Sequence, residues 1–101
     1  MKNRIEIAKE FADKIKNKYI KKIILFGSVA RGEDNDDSDI DILIISNNRE
    51  IIEDKISDEK YNIITKYREL ISAHIITEKH YEETKNYSFI TNVIRDGIIL
   101  G

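Results

Sequence analysis

Ile5, Ala8, Phe11, Ala12, Ile15 and Tyr19 recur at steps of three and four near the start of the chain. That spacing draws one apolar stripe along a helix, predicted over Arg4 to about Tyr19. Lys14, Lys16, Lys18, Lys21 and Lys22 crowd its end. Cations suit the negative pole of a helix there, and they read as a solvated face. The period then changes. Ile23-Ile24-Leu25-Phe26 is an unbroken apolar run stopped by Gly27, the pattern of a buried strand. Ile40 and Ile42 to Ile45 form a second, β-branched run, closed by the turn-forming Ser46-Asn47-Asn48. From Arg49 to about Tyr67 the positions Ile52, Ile56, Ile63, Ile64 and Tyr67 fit a long helix, with polar Ser57–Lys60 as a point of interruption. Leu70 to Ile76 reads as a third strand. Thr77 can cap a helix starting at Glu78. A further helical stretch runs from about Ser88 to Gly97, read as a C′ glycine, and Ile98-Ile99-Leu100 forms an apolar tail.

This order of elements predicts the α/β (α+β) class, a small mixed β-sheet with helices packed against it. About a dozen residues separate the first two strands, too few for a parallel crossover with a proper helix, so antiparallel or mixed pairing is expected. No linker, repeat or low-complexity tract divides the 101 residues, and residues 1–101 are read as one domain.

Composition narrows the class. With 41% hydrophobic and 36% charged residues, the chain has a core to bury and does not resemble a disordered tail. It contains no Cys, which excludes disulfide scaffolds and thiolate zinc sites. No apolar run approaches the roughly 20 residues of a membrane span. The charged amphipathic start, Met1-Lys2-Asn3-Arg4-Ile5-Glu6, differs from a signal peptide, so a soluble cytoplasmic protein without a membrane partner is expected. The net charge of -2 is unevenly spread: Glu33, Asp34, Asp36, Asp37, Asp39 and Asp41 fall together with no base among them. Outside that stretch 17 bases face 13 acids. The excess is too small for a basic footprint, and no nucleic-acid partner is expected.

The chemistry concentrates between Gly27 and Asp41. A glycine where a strand ends lets the backbone turn sharply or approach a ligand closely. Ser28 can cap a short helical turn whose free N–H groups form an anion site, above all for phosphate. Arg31 adds a positive fork, and Gly32 lets the chain leave the turn. An ordinary tight turn would explain both glycines but not the remainder. Asp39 and Asp41 flank Ile40 at the start of a strand, so their side chains share a face. Two adjacent carboxylates with no base between them suit a hard divalent cation such as Mg²⁺, completed by substrate phosphate and water. A nucleoside triphosphate could lie between the turn and the acids, poised for in-line attack at its α-phosphorus. A P-loop is excluded on residues, a calcium loop lacks its central Gly and distal Glu, and His74 and His80 are read first as structural residues.

Gly27-Ser28, ten residues, then Asp39-Ile40-Asp41, with Ala30-Arg31-Gly32 between, resembles the minimal nucleotidyltransferases. These form part of the DNA polymerase beta-like superfamily and include MntA-like antitoxins. The resemblance covers nearly the whole chain. It implies the polymerase beta-like fold and Mg²⁺-dependent transfer of AMP from ATP. Gly27 and Ser28 match the family's triphosphate-holding residues, and Asp39 and Asp41 its first two metal ligands. It further implies a HEPN-type toxin as partner, with adenylylation of a toxin tyrosine. The chain departs from the family at the third acid, because Leu70 to Ile76 holds no carboxylate. Glu69 and Glu78 border that strand, and Ser72 and His74 share a face that could occupy the place. A non-catalytic antitoxin that binds nucleotide and neutralises its toxin by complex formation is the alternative. A chain this short leaves little room beyond the nucleotide site, so a partner protein is expected to bring the acceptor, or a homodimer to complete the cleft.

Overall fold

The computed structural model describes residues 2–101; Met1, with which the amphipathic start begins, lies outside the described residues. In chain order the elements are α1 (Arg4–Ile15), β1 (Ile20–Phe26), α2 (Gly27–Arg31), β2 (Ile40–Ser46), α3 (Arg49–Tyr67), β3 (Ile71–Ile76), α4 (Glu78–Thr84), α5 (Ser88–Asp96) and β4 (Ile98–Ile99). The sheet is mixed, with strand order β3-β2-β1-β4. β1 pairs antiparallel with β2 and β4, while β2 and β3 run parallel, joined by the α3 crossover. The mixed pairing expected from the short β1–β2 connection is therefore present.

Helices cover both faces of the sheet. Ile7, Phe11 and Ile15 of α1 and Ile52, Ile56 and Ile63 of α3 pack on Ile23, Leu25, Ile40, Ile42 and Ile44. On the opposite face Ile24, Phe26 and Leu43 meet Ile90 and Val93 of α5. β2 is thus buried from both sides, which is why its sequence reads as an unbroken apolar run rather than an alternation. Burying these side chains contributes about 1.5–3 kcal/mol each before conformational entropy is set against it.

Local chemistry accounts for most of the boundaries. Asn3 caps α1 in a reciprocal capping box with Glu6. The helix stops at Ile15, short of the expected Tyr19, because the Asn17 side chain accepts the Tyr19 N–H at 2.8 Å and turns the chain. β1 accordingly begins at Ile20 rather than Ile23, its first residues disguised by Lys21 and Lys22. α3 runs unbroken through Ser57–Lys60. Glu59 within that stretch is buried yet satisfied, accepting from Asn62 at 3.1 Å and from Lys55. Thr77 caps α4 as expected, accepting from the His80 N–H. Gly97 ends α5 in extended, not left-handed, conformation. Its role is space: a β-carbon there would lie 2.6 Å from Ile24 Cγ2. The apolar tail adds the unanticipated strand β4, with Ile98 and Leu100 packed against the core.

Candidate active site

Three adjacent strands set out the site. β1 ends at Phe26 and passes directly into Gly27, the first residue of α2. Across the ladder Phe26 pairs with Asp41 of β2, and Asp41 pairs in turn with Ser72 of β3. Asp41 and Leu43 share the sheet face that α5 covers only in part, so Asp41 opens onto the uncovered end of that face. Asp39 lies one residue ahead of β2 and is exposed, while Asp41 is half-buried.

Gly27 and Asp41 fit each other closely. Gly27 has φ +75°, in the left-handed region that side chains avoid. A β-carbon built on it would fall onto the Asp41 carboxylate, 3.2 Å from its Cγ. The carboxylate thus occupies the space that any other residue at position 27 would need. Ser28 follows in the first turn of α2, but the capping position belongs to Phe26 and carries no side-chain cap, so the expected capping by Ser28 does not occur. Gly32 ends the helix with φ 71°. Arg31, in the last turn, donates from Nε to Glu33 at 3.0 Å. Phe26, Gly27 and Arg31 border a cleft of about 210 Å³ against Phe89, Asn92 and Val93 of α5.

Burial pushes the Asp41 carboxyl above its ordinary pKa; His74 and Arg31 pull it down, and Asp39 pushes it further up. A carboxylate with an acidic neighbour and little solvent is one that a cation would stabilise. The donor set is hard oxygen from two carboxylates, which fits Mg²⁺ with phosphate and water completing its shell. Among the described residues no three His, Asp or Glu side chains stand together as a metal-binding group.

The two acids bordering β3 are both engaged elsewhere. Glu69 precedes β3, and its carboxylate accepts from Arg4 Nε at 2.8 Å. It serves as a strut, not as a third member of the Asp39–Asp41 group. Glu78 is likewise engaged elsewhere, accepting from Asn47 Nδ2 at 2.8 Å. Beside Asp41 the sheet offers Ser72 and, two residues on, His74, whose Nε2 lies 3.4 Å from Ser72 Oγ. The His74 ring also rests 5.7 Å from that of Phe26.

Arg4 has no signal in the sequence, being one base in an amphipathic helix. Besides Glu69 it donates to Asp34 at 2.9 Å and to the carbonyls of Asn35 and Asp36. A single guanidinium thereby anchors the acidic loop that leads to Asp39, offsetting part of its self-repulsion.

The profile of the family described as nucleotidyltransferase domain matches residues 5–97. The chain is similar to a Methanocaldococcus jannaschii protein named "Putative protein adenylyltransferase MJ0604", with 40% identity over 101 residues, 97% of this chain and 98% of that one. Among solved structures, a crystal structure of a "toxin-antitoxin with AMP-PNP" superposes with TM-score 0.58 and 20% identity, over 99% of this chain and 73% of that one. A mutant of the toxin-antitoxin MntA-HpeT gives TM-score 0.56 and 18% identity, again over 99% and 73%. At such identities the two structures establish a shared fold. With nearly its whole length matched and a relative at 40% identity from end to end, the chain belongs to the nucleotidyltransferase domain family.

Proposed function

We propose that this nucleotidyltransferase moves AMP from ATP to a hydroxyl of a partner protein, a tyrosine of a HEPN-type toxin, and so acts as the antitoxin of the pair. The observation that carries the reading is the direct apposition of Gly27 and Asp41. It sets a backbone turn suited to phosphate against a carboxylate suited to a cation, the pairing that handling a metal-bound triphosphate requires. In this reading Gly27, Ser28 and Arg31 hold the triphosphate while Asp39 and Asp41 hold Mg²⁺. The metal, when bound, supplies charge neutralisation at the α-phosphate and the departing pyrophosphate. A protein acceptor is supported by the name of the 40% identical relative, and a toxin partner by the toxin–antitoxin structures that share the fold.

The absence of a carboxylate from β3 favours a second reading, a non-catalytic module that binds nucleotide and neutralises its toxin by complex formation. One experiment separates the two. The protein is incubated with α-labelled ATP, Mg²⁺ and the product of the neighbouring gene. Label on that product, accompanied by pyrophosphate and abolished by Asp39→Asn with Asp41→Asn, is expected. No label, together with a tight complex that survives the double substitution, overturns transfer and leaves the binding module.

A further inference from the structure

We propose that the acceptor enters from the β3 side, its aromatic side chain resting in the apolar cleft of Leu43, Ile76, Tyr87, Phe89 and Ile90 and its hydroxyl facing His74. The inference rests on the transfer reading above and assigns the acceptor half of the same site. In-line displacement puts the entering oxygen opposite the leaving group. Pyrophosphate departs on the β1 side, where the Gly27 turn lies; the carboxylate of β2 is in the middle; the opposite side is therefore β3. Neighbouring strands are about 4.8 Å apart, so a group on β3 beside Asp41 is within reach of an oxygen arriving at the α-phosphorus. The residues there are Ser72 and His74, and of the two only His74 carries a basic ring nitrogen that can take a proton from an entering hydroxyl.

The surroundings of His74 select the occupant. It lines a cleft of about 460 Å³ whose apolar walls come from the sheet, from Tyr87 and from α5, while α4 contributes His80 and Thr84. Tyr87 and Phe89 at its rim are 66% and 55% exposed, leaving large aromatic surface open to solvent. Phe26 stacks edge-on to Phe89 at 5.6 Å and also meets His74, which makes the cleft continuous with the Asp41 end of the sheet. A phenol has an apolar body and one polar tip, matching an apolar trough that ends at an imidazole. In the step itself the hydroxyl proton passes to a ring nitrogen of His74 as the oxygen bonds to the α-phosphorus. The bond from that phosphorus to the bridging oxygen breaks, and pyrophosphate leaves with the electron pair.

The test uses p-cresol as the stand-in for a tyrosine side chain, titrated into methyl-labelled protein holding Mg²⁺ and AMP-PNP. Saturable shifts at the Leu43, Ile76 and Ile90 methyls are expected, weakened at least tenfold in Tyr87→Ala with AMP-PNP affinity unchanged. Displacement of p-cresol by AMP-PNP, or loss of AMP-PNP affinity in Tyr87→Ala, would instead make the cleft the seat of the base and overturn the proposal, as would shifts elsewhere or none. His74→Asn is then assayed by label transfer to the partner. A fall in kcat of about 10²-fold or more with the KM for ATP retained is expected of a lost proton acceptor, and an unaltered kcat removes His74 from that role. Absence of transfer by the unsubstituted protein would sink the transfer reading itself, while the p-cresol titration still judges the cleft.

Discussion

Gly27→Ala adds a single methyl group at the point where the turn meets the carboxylate, and two separable costs follow. Holding an L-residue at φ +75° costs about 1–2 kcal/mol. The new β-carbon also overlaps Asp41, whose Cγ and Cβ would lie 3.2 and 3.3 Å away. Asp41 sits on a strand hydrogen-bonded on both sides, so relief comes from its side chain, at about 1–3 kcal/mol as in other overpacked sites. The sum is about 2–5 kcal/mol. At roughly 4–8 °C per kcal/mol for a domain of this size, the melting temperature falls by on the order of 10–40 °C. The assay is urea and thermal unfolding of four proteins: unsubstituted, Gly27→Ala, Asp41→Ala and the double variant. Truncating Asp41 removes the carboxylate but leaves φ unchanged. The double variant should therefore recover about 1–2 kcal/mol of coupling while keeping the backbone cost. A Gly27→Ala penalty equal in the two backgrounds would refute the steric reasoning, and a penalty below about 1 kcal/mol would refute both parts.

Burial and Asp39 raise the Asp41 pKa, so its contribution to stability is full below the unfolded value of 3.8 and lost as pH rises through the folded value. Asp41→Asn should therefore raise the neutral-pH melting temperature of the ligand-free protein by a few degrees, while the extra stabilisation that Mg²⁺-ATP gives the unsubstituted protein disappears; calorimetry with and without ligand checks both. Arg4→Gln strips the acidic loop of its anchor and leaves Glu69 and Asp34 without their cation. Chemical denaturation should show a loss of about 1–3 kcal/mol, with faster hydrogen exchange over residues 34–38. Hydrogen bonds from Lys2 and from the Tyr67 hydroxyl, with Lys66 nearby, hold the Glu10 carboxyl down at about 2. Its stabilising contribution is full above 4.5 and is lost as pH falls towards 2, so Glu10→Gln should flatten the acid limb of a stability–pH curve across that window.

The sequence is most legible where one physical demand dominates. β2 reads correctly because burial on both faces requires an unbroken apolar run, and Asp39-Ile40-Asp41 stands out because carboxylates interrupt it. Gly27 is legible as a turn, but its contact with Asp41 is not, since that depends on the antiparallel register of β1 and β2. The start of β1 is hidden because Lys21 and Lys22 on its first residues look like the solvated end of a helix. β4 is invisible as a strand because two residues carry no period. Glu59 resembles a break in α3 until its hydrogen bonds to Asn62 and Lys55 are seen. Arg4 and Phe89 act through partners 30 or more residues away, distances across which pattern carries no information.

β2, with helices over both faces and a paired strand on each edge, is the most enclosed element of the molecule. Its amides should exchange with solvent only through global unfolding, whereas α4 and α5 on the rim open far more often. The acids at its leading end are consequently tethered to a strand enclosed on every side, so little ordering entropy should remain to be lost there when a ligand arrives. The aromatic rim of the neighbouring cleft belongs to the softer layer and can adapt to different visitors while the acids stay in register.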